Sequence, residues 1–197
     1  GDLVDQHLKI LKYDIKQIST KDLTLKDLKN FDVVITGVRF FNVEEKAPYI
    51  SNLLLQYVNE GGNLVVQYNT SYRLKTKDFH PYPLQISRDR VTQEDAQVTF
   101  LNNSHPVMNF PNKLTKDDFN NWVQERGLYF PNAWSKEYQP IFSWNDFNEK
   151  PKKGSLLIAK YGEGYYTYTG ISFFRQLPAG VSGAYKLLVN IISLNND

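Results

Sequence analysis

Two short β-rich runs, DVVITGV from Asp32 to Val38 and LVVQY from Leu64 to Tyr68, flank a segment whose apolar residues keep helical spacing. Ile50, Leu53, Leu54, Tyr57 and Val58 fall on one stripe, and Gly61-Gly62 supplies a stop for that helix. Asn42, with Glu45 three residues later, has the pattern of a capping box that would open it. A strand, an amphipathic helix and a second strand at this length require a right-handed parallel crossover. Strands buried on both faces also explain why neither run alternates polar with apolar. The unit predicts an α/β fold: a three-layer, mainly parallel sheet with helices on both faces, of flavodoxin-like type.

Elsewhere the pattern predicts a first helix with Leu3, Val4, Leu8 and Leu11 on one face, a half-buried strand over Asp14 to Thr20 and a short helix around Leu23 to Leu28. From Ser71 to about Phe100 regular structure is hard to find, apart from one strand near the end. Thr115 with Asp118 could cap a helix that buries Phe119, Trp122 and Val123. Gly162-Glu163-Gly164 between two apolar runs predicts a C-terminal β-hairpin, and Ala184, Leu187, Leu188, Ile191 and Ile192 predict a closing helix.

Composition narrows the chemistry. A chain of 197 residues suits one domain, 1–197, and its opening Gly1-Asp2 suggests a piece excised from a longer protein. The 23 basic and 21 acidic side chains nearly cancel and are interspersed, so no basic run follows a nucleic-acid backbone and no nucleic-acid partner is expected. No apolar segment reaches the length needed to span a bilayer, so no membrane partner is expected either. The absence of cysteine removes disulfides, thiolate nucleophiles and thiolate metal sites together, while leaving the compartment open; a periplasmic or otherwise exported location is favoured. The three histidines, His7, His80 and His105, are scattered with no metal-ligand spacing, so neither a metal nor a cofactor is expected.

Several ordered features resemble the class I glutamine amidotransferase-like fold, and its ThuA-like branch in particular: the helix ending at Gly61-Gly62 before LVVQY, HPVMNFPNKLTKDDF from His105, and YGEGYYTYTG from Tyr161 with a closing helix. More closely, VVQYNT, SRDRVTQEDAQVTFLNNSHPV, WVQERGLYFP and TGISFFRQLPAGVSGAY are similar to the C-terminal domain of bacterial PIG-L (LmbE-like) family deacetylases. The resemblance implies a catalytic zinc domain upstream in the natural chain, acting on N-acetylated sugars, as the partner of this one. Active class I amidotransferases carry a cysteine at the strand-to-helix elbow, where this chain has Gln67, Tyr68 and Asn69. Amide and phenol groups are poor nucleophiles without an activating base. Thr70 and Ser71 are hydroxyl candidates that only His80 could plausibly serve, and a turn and cap is the better reading of Asn69-Thr70-Ser71.

The densest polar constellation is Arg88, Asp89, Arg90 and Glu94 in the long connection, Trp122, Glu125 and Arg126 further on, and Arg175-Gln176 after Phe173-Phe174. Together with Gln67, Tyr68 and Asn69 these are the expected ligand-binding residues, because guanidinium forks, amides and aromatic faces suit sugar hydroxyls or a carboxylate. The same pairs could equally fasten the long connection to the body of the domain. The expectation is a non-catalytic accessory module that binds a carbohydrate-type ligand or packs on the deacetylase domain. The alternatives are a hydrolase or sugar-modifying enzyme with a non-cysteine site at the end of LVVQY, or a structural spacer. The purified chain should release neither ammonia from glutamine nor, with zinc added, acetate from N-acetylglucosamine derivatives; either product above a buffer control overturns the non-catalytic reading.

Overall fold

The computed structural model describes residues 2–195. Its strands are β1 (Val33–Thr36), β2 (Asn63–Gln67), β3 (Leu84–Val91), β4 (Val98–Phe100), β5 (Gly127–Trp134), β6 (Gln139–Pro140), β7 (Phe142–Trp144), β8 (Leu156–Tyr161) and β9 (Gly164–Thr169). Its helices are α1 (Val4–Ile10), α2 (Leu25–Leu28), α3 (Phe40–Val43), α4 (Ala47–Asn59), α5 (Phe173–Gln176) and α6 (Ser182–Ile192).

The largest sheet runs in the order β1-β2-β9-β8-β6. Its central strands are buried on both faces, which separates two cores. Val65 of β2 joins Leu156, Ile158 and the α6 residues Leu187, Leu188 and Ile191 on one face. Leu64 and Val66 join Leu157, Tyr166, Tyr168 and the α4 residues Ile50, Leu54 and Val58 on the other. Each fully buried aliphatic side chain contributes about 1.5–3 kcal/mol, so this two-sided burial dominates the stability of the sheet.

This architecture corrects the expected three-layer, mainly parallel, flavodoxin-like sheet. The fold is mixed α/β, and among the described residues only β1/β2 and β2/β9 pair in parallel. The β8/β9 hairpin, β6/β8 and the two separate ribbons β3/β5 and β4/β7 are antiparallel. Helices are few, and among the described residues only α4 (13 residues) and α6 (11 residues) exceed two turns. A strand buried on both faces reads as one apolar run whichever way its neighbours point, and the helical period that betrays a crossover occurs at a single place, between β1 and β2.

Local departures have local causes. Asn42 does not cap the long helix: its amide donates to the carbonyls of Thr70 and Tyr72 and accepts from Thr70 N–H, and the helical stretch breaks into α3 and α4, with Pro48 at the start of the latter. Residues 13–19 form no strand, and the connection after Ser71 contains the eight-residue β3. Thr115 and Asp118 form the capping box, but on a single turn over Lys116–Phe119, and Val123 is exposed rather than buried. On α1, Val4 and Leu8 are buried while Leu3 and Leu11 are exposed. The hairpin turns through Gly162 at φ 58, where a Cβ would lie 2.3 Å from the carbonyl oxygen of Asn59.

At the start of α6, a Cβ on Gly183 would sit 1.6 Å from the carbonyl oxygen of Asp118. Alanine is the better helix former by about 1 kcal/mol, yet backbone pressed on backbone has no rotamer to yield. Gly183→Ala should therefore destabilise the protein, by about 1–3 kcal/mol as overpacking does, measured by urea unfolding; an unchanged or raised midpoint would contradict this packing.

Candidate functional site

The carboxyl ends of the three strands that run in parallel, β1, β2 and β9, meet on one side of the molecule, where ligands collect in sheets of this kind. The chain leaving β2 places Tyr68 there, half-buried, with its carbonyl accepting from Arg39 N–H at 2.7 Å. Tyr68 stacks on Tyr129 with ring centroids 5.8 Å apart and planes at 14°, and its other neighbour, Phe174, lies 5.7 Å away at 49°. Tyr72, 46% exposed, meets the edge of Tyr129 at 6.4 Å. Arg88 lies over Tyr72 at 5.6 Å and Arg175 over Phe174 at 5.1 Å, so a guanidinium closes each end of an aromatic row.

Backbone irregularity builds this row. Between the pairs Asp89↔Phe130 and Val91↔Gly127, β3 advances two residues and β5 three, so β5 bulges at Leu128–Tyr129. Tyr129 sits in the bulge at φ 54, a left-handed conformation that costs a bulky residue of the order of 1–3 kcal/mol. Its carbonyl is held by Tyr168 Oη at 3.2 Å, and Asn69 N–H donates in turn to that hydroxyl. Gln124 (φ 34), Arg39 (φ 61) and Arg73 (φ 58), from the segments around the row, are also left-handed.

Electrostatics are those of a partly dried surface. Burial raises the Tyr68 hydroxyl above its ordinary value; Arg39 and Arg175 oppose this, while Glu125 and Asp2 add to it. The contact with Tyr72 and then burial raise that of Tyr129. Both phenols stay neutral well above neutral pH and can donate as well as accept.

The sequence-derived residues sort into different places. Tyr68, Arg88, Glu125 and Arg175 belong to this surface, with Arg175 Nε donating to Glu125 at 3.1 Å and Nη1 to Gln124 Oε1 at 2.8 Å. Glu94 accepts from Gln124 N–H, which ties the connection after β3 to the same loop. Gln176, fully buried, holds that loop from behind: its Oε1 accepts from Val123 N–H at 2.9 Å and its Nε2 donates to Val123 O at 2.6 Å.

Trp122 and Arg126 are buried away from the row. Arg126 donates to the carbonyls of Phe119 and Ala96 and faces the rings of Trp122 and Trp144. With Glu94, both line a separate polar pocket of about 540 Å³ between residues 94–98 and 116–122. Asn69 accepts from Phe41 N–H and donates to Gln67 O, and Thr70 Oγ1 donates to Tyr72 O, so these elbow groups organise backbone. His80 bonds the carbonyl of Tyr82 and edges Phe79. Gln67 faces the opposite side of β2, towards Asp2. Asp89 N–H donates to Ser87 Oγ, and among the described residues neither a hydrogen bond nor an ion pair joins the Asp89 carboxylate or the Arg90 guanidinium to the aromatic row.

Sequence reading missed Arg39, Tyr72 and Tyr129. Nothing local marks them, although the YNTSYR and GLYF stretches do concentrate tyrosine beside turn residues. Among the described residues no group of three or more His, Cys, Asp or Glu is placed to hold a metal ion, and no helix is long and apolar enough to cross a membrane.

No protein-family model matches the chain, and no curated protein does. Similar folds occur among solved structures. The cytoplasmic protein STM3548 from Salmonella typhimurium is similar with a TM-score of 0.53 and 15% identity, over 86% of this chain and 74% of that one. STM1381 from Salmonella typhimurium LT2 gives 0.53 and 14%, over 85% and 75%. A cold-adapted β-galactosidase from Rahnella sp. R3 gives 0.53 and 14% over 85% of this chain, which spans only 24% of that enzyme. At such identities the likeness concerns the fold alone.

Because the Gln176 amide satisfies both backbone groups of Val123 from a buried position, Gln176→Ala should cost about 1–3 kcal/mol. Arg175→Ala removes a guanidinium whose side chain is 34% exposed and whose pairing with Glu125 is screened by solvent, and it should cost about 1 kcal/mol or less. Thermal melts of the two variants check this ordering, and a reversed order would mean that the outer pair, not Gln176, holds the loop.

Proposed function

We propose that this chain is a non-catalytic accessory module that binds a carbohydrate-type ligand beside the catalytic domain of a PIG-L-like deacetylase. One observation carries the reading: the row Tyr72, Tyr129, Tyr68 and Phe174, bracketed by Arg88 and Arg175 at the carboxyl ends of β1, β2 and β9. Aromatic faces offer flat apolar contact to the C–H side of a sugar ring while phenol and guanidinium groups reach its hydroxyls, and each well-placed ring is worth about 1 kcal/mol. The row is built at a conformational cost, in the bulge of β5, and that favours a binding surface over incidental packing.

The accessory role rests on the absence of the nucleophilic cysteine together with the resemblance of the VVQYNT, SRDRVTQEDAQVTFLNNSHPV, WVQERGLYFP and TGISFFRQLPAGVSGAY segments to the domain that follows PIG-L-like catalytic domains. A fold of this kind also makes up about a quarter of a β-galactosidase, which is in keeping with a non-catalytic part of a larger carbohydrate-active chain. The tying-up of Asn69 and Thr70 in backbone hydrogen bonds speaks against a hydrolytic centre at the elbow.

Titration of the chain with N-acetylglucosamine oligomers, followed by intrinsic fluorescence, tests this. Binding is expected, and Tyr68→Ala or Arg175→Ala should each weaken it about tenfold or more, the loss of one charged or stacked contact, with the melting temperature little changed. Absence of binding, or binding indifferent to both changes, would sink the proposal.

A further inference from the structure

Behind the aromatic row, on the other side of the β2 strand end, lies a second concavity. β1 is the outer strand of its sheet, and α1 with the extended segment of residues 13–20 runs alongside it. Among the described residues no backbone hydrogen bond joins that segment to β1. Ile15 packs into the core on one face of the sheet and Ile18 into the core on the other, so the segment straddles the edge without pairing with it. The resulting groove encloses about 740 Å³, in the range of small-molecule sites.

Its walls are apolar, formed by residues such as Leu8, Ile15, Ile35 and Phe31, but one end is polar and rich in acceptors. Asp2 Oδ2 accepts from Val38 N–H at 2.9 Å and from Gln67 Nε2 at 2.8 Å. Gln67 Nε2 also donates to Thr36 O at 3.2 Å. With two oxygens facing Nε2, the amide orientation is fixed, because a flip would set oxygen against oxygen. Gln67 Oε1 is left without a partner, and so is Thr36 Oγ1, although Gln67 is only 3% and Thr36 only 5% exposed and both residues line the groove. Buried polar atoms without partners are rare and costly in folded proteins. Charge points the same way: Asp2, Asp5, Asp14 and Asp32 line the groove against the single cation of Lys16, and no cation pairs with Asp2 among the described residues.

We propose that this groove is a binding site for a primary amine carried on an apolar body, with the ammonium group seated among Asp2, Gln67 Oε1 and Thr36 Oγ1. An ammonium brings three N–H donors and one positive charge to an acidic, acceptor-rich pocket end, and the apolar body replaces water along β1, Ile15 and Leu8. A carboxylate head meets repulsion here, and an alcohol lacks both the charge and two of the donors.

The test titrates the chain with phenethylamine, phenethyl alcohol and the N-trimethylated form of phenethylamine by calorimetry near neutral pH. The amine should bind, and the alcohol and the trimethylated cation, which keeps the charge but has no N–H, should each bind about tenfold or more weakly. Asp2→Asn should weaken the amine by a similar factor, and Ile15→Trp, which fills the groove from its outer wall, should abolish binding whether or not Asp2→Asn folds. No binding of the amine, equal binding of the three compounds, or binding that survives Ile15→Trp each overturns the proposal. The outcome is independent of the oligosaccharide titration, because the two surfaces share no contacting side chain.

Discussion

A single buried guanidinium holds the middle of this chain to its sheet. Arg126, 3% exposed, donates from Nη1 to Phe119 O at 2.7 Å and from Nη2 to Ala96 O at 2.8 Å, between the rings of Trp122 and Trp144. Burial draws its pKa down to about 10, opposed by Asp95, so it remains charged at neutral pH. Removing a cation from water costs several kcal/mol, and here carbonyl dipoles and indole faces offset that cost where a carboxylate usually would. The groups that do so come from three separate stretches, at residues 96, 119–122 and 144. The charge can be satisfied only when all of them are in place. The next residue, Gly127, opens β5 and bridges to Ile171 just after β9.

From that anchor the geometry of the aromatic row follows. With Arg126 fixed, the preceding loop lies against Gln176, whose amide takes up the backbone of Val123, and Glu125 is delivered to Arg175. Immediately after it, the bulge in β5 turns Tyr129 onto Tyr68. Residues that looked alike in sequence thus divide by burial. Arg126 and Gln176 fasten the scaffold, while Arg175 and Arg88 stand on aromatic faces open to solvent. For the proposed sugar ligand, rings fixed in advance would lower the ordering cost of binding.

The end of β2 serves two directions at once because successive side chains of a strand point to opposite faces. Gln67 turns to Asp2 and the edge groove, while Tyr68 turns to Tyr129 and Phe174. The groove exists because the sheet stops at β1: the segment around Ile15 and Ile18 fills the apolar demand of both cores at that edge without meeting the hydrogen-bonding demand of an edge strand.

What the sequence determined by itself were the features with a local cause. The amphipathic stripe of α4 and α6, the Gly162 turn, the Thr115–Asp118 box and the parallel pairing of β1 with β2 all depend on residues near one another in the chain, or on one intervening helix that carries the chain back to the start of the next strand. Tertiary structure alone decided what meets the outer edges of the hairpin: the turn sets Leu156–Tyr161 antiparallel to Gly164–Thr169, but both strands are buried on both faces and carry no mark of β2 on one side, paired in parallel, or of β6 on the other, paired antiparallel. It also decided which arginines face solvent and which are enclosed. Arg88, Arg126 and Arg175 have the same chemistry in the sequence, and only the packing of Trp122 and Trp144 around one of them sets it apart. Tyr129 reached the site through a bulge that arises from the pairing of β3 with β5, an interaction between residues some forty positions apart that no local pattern can encode.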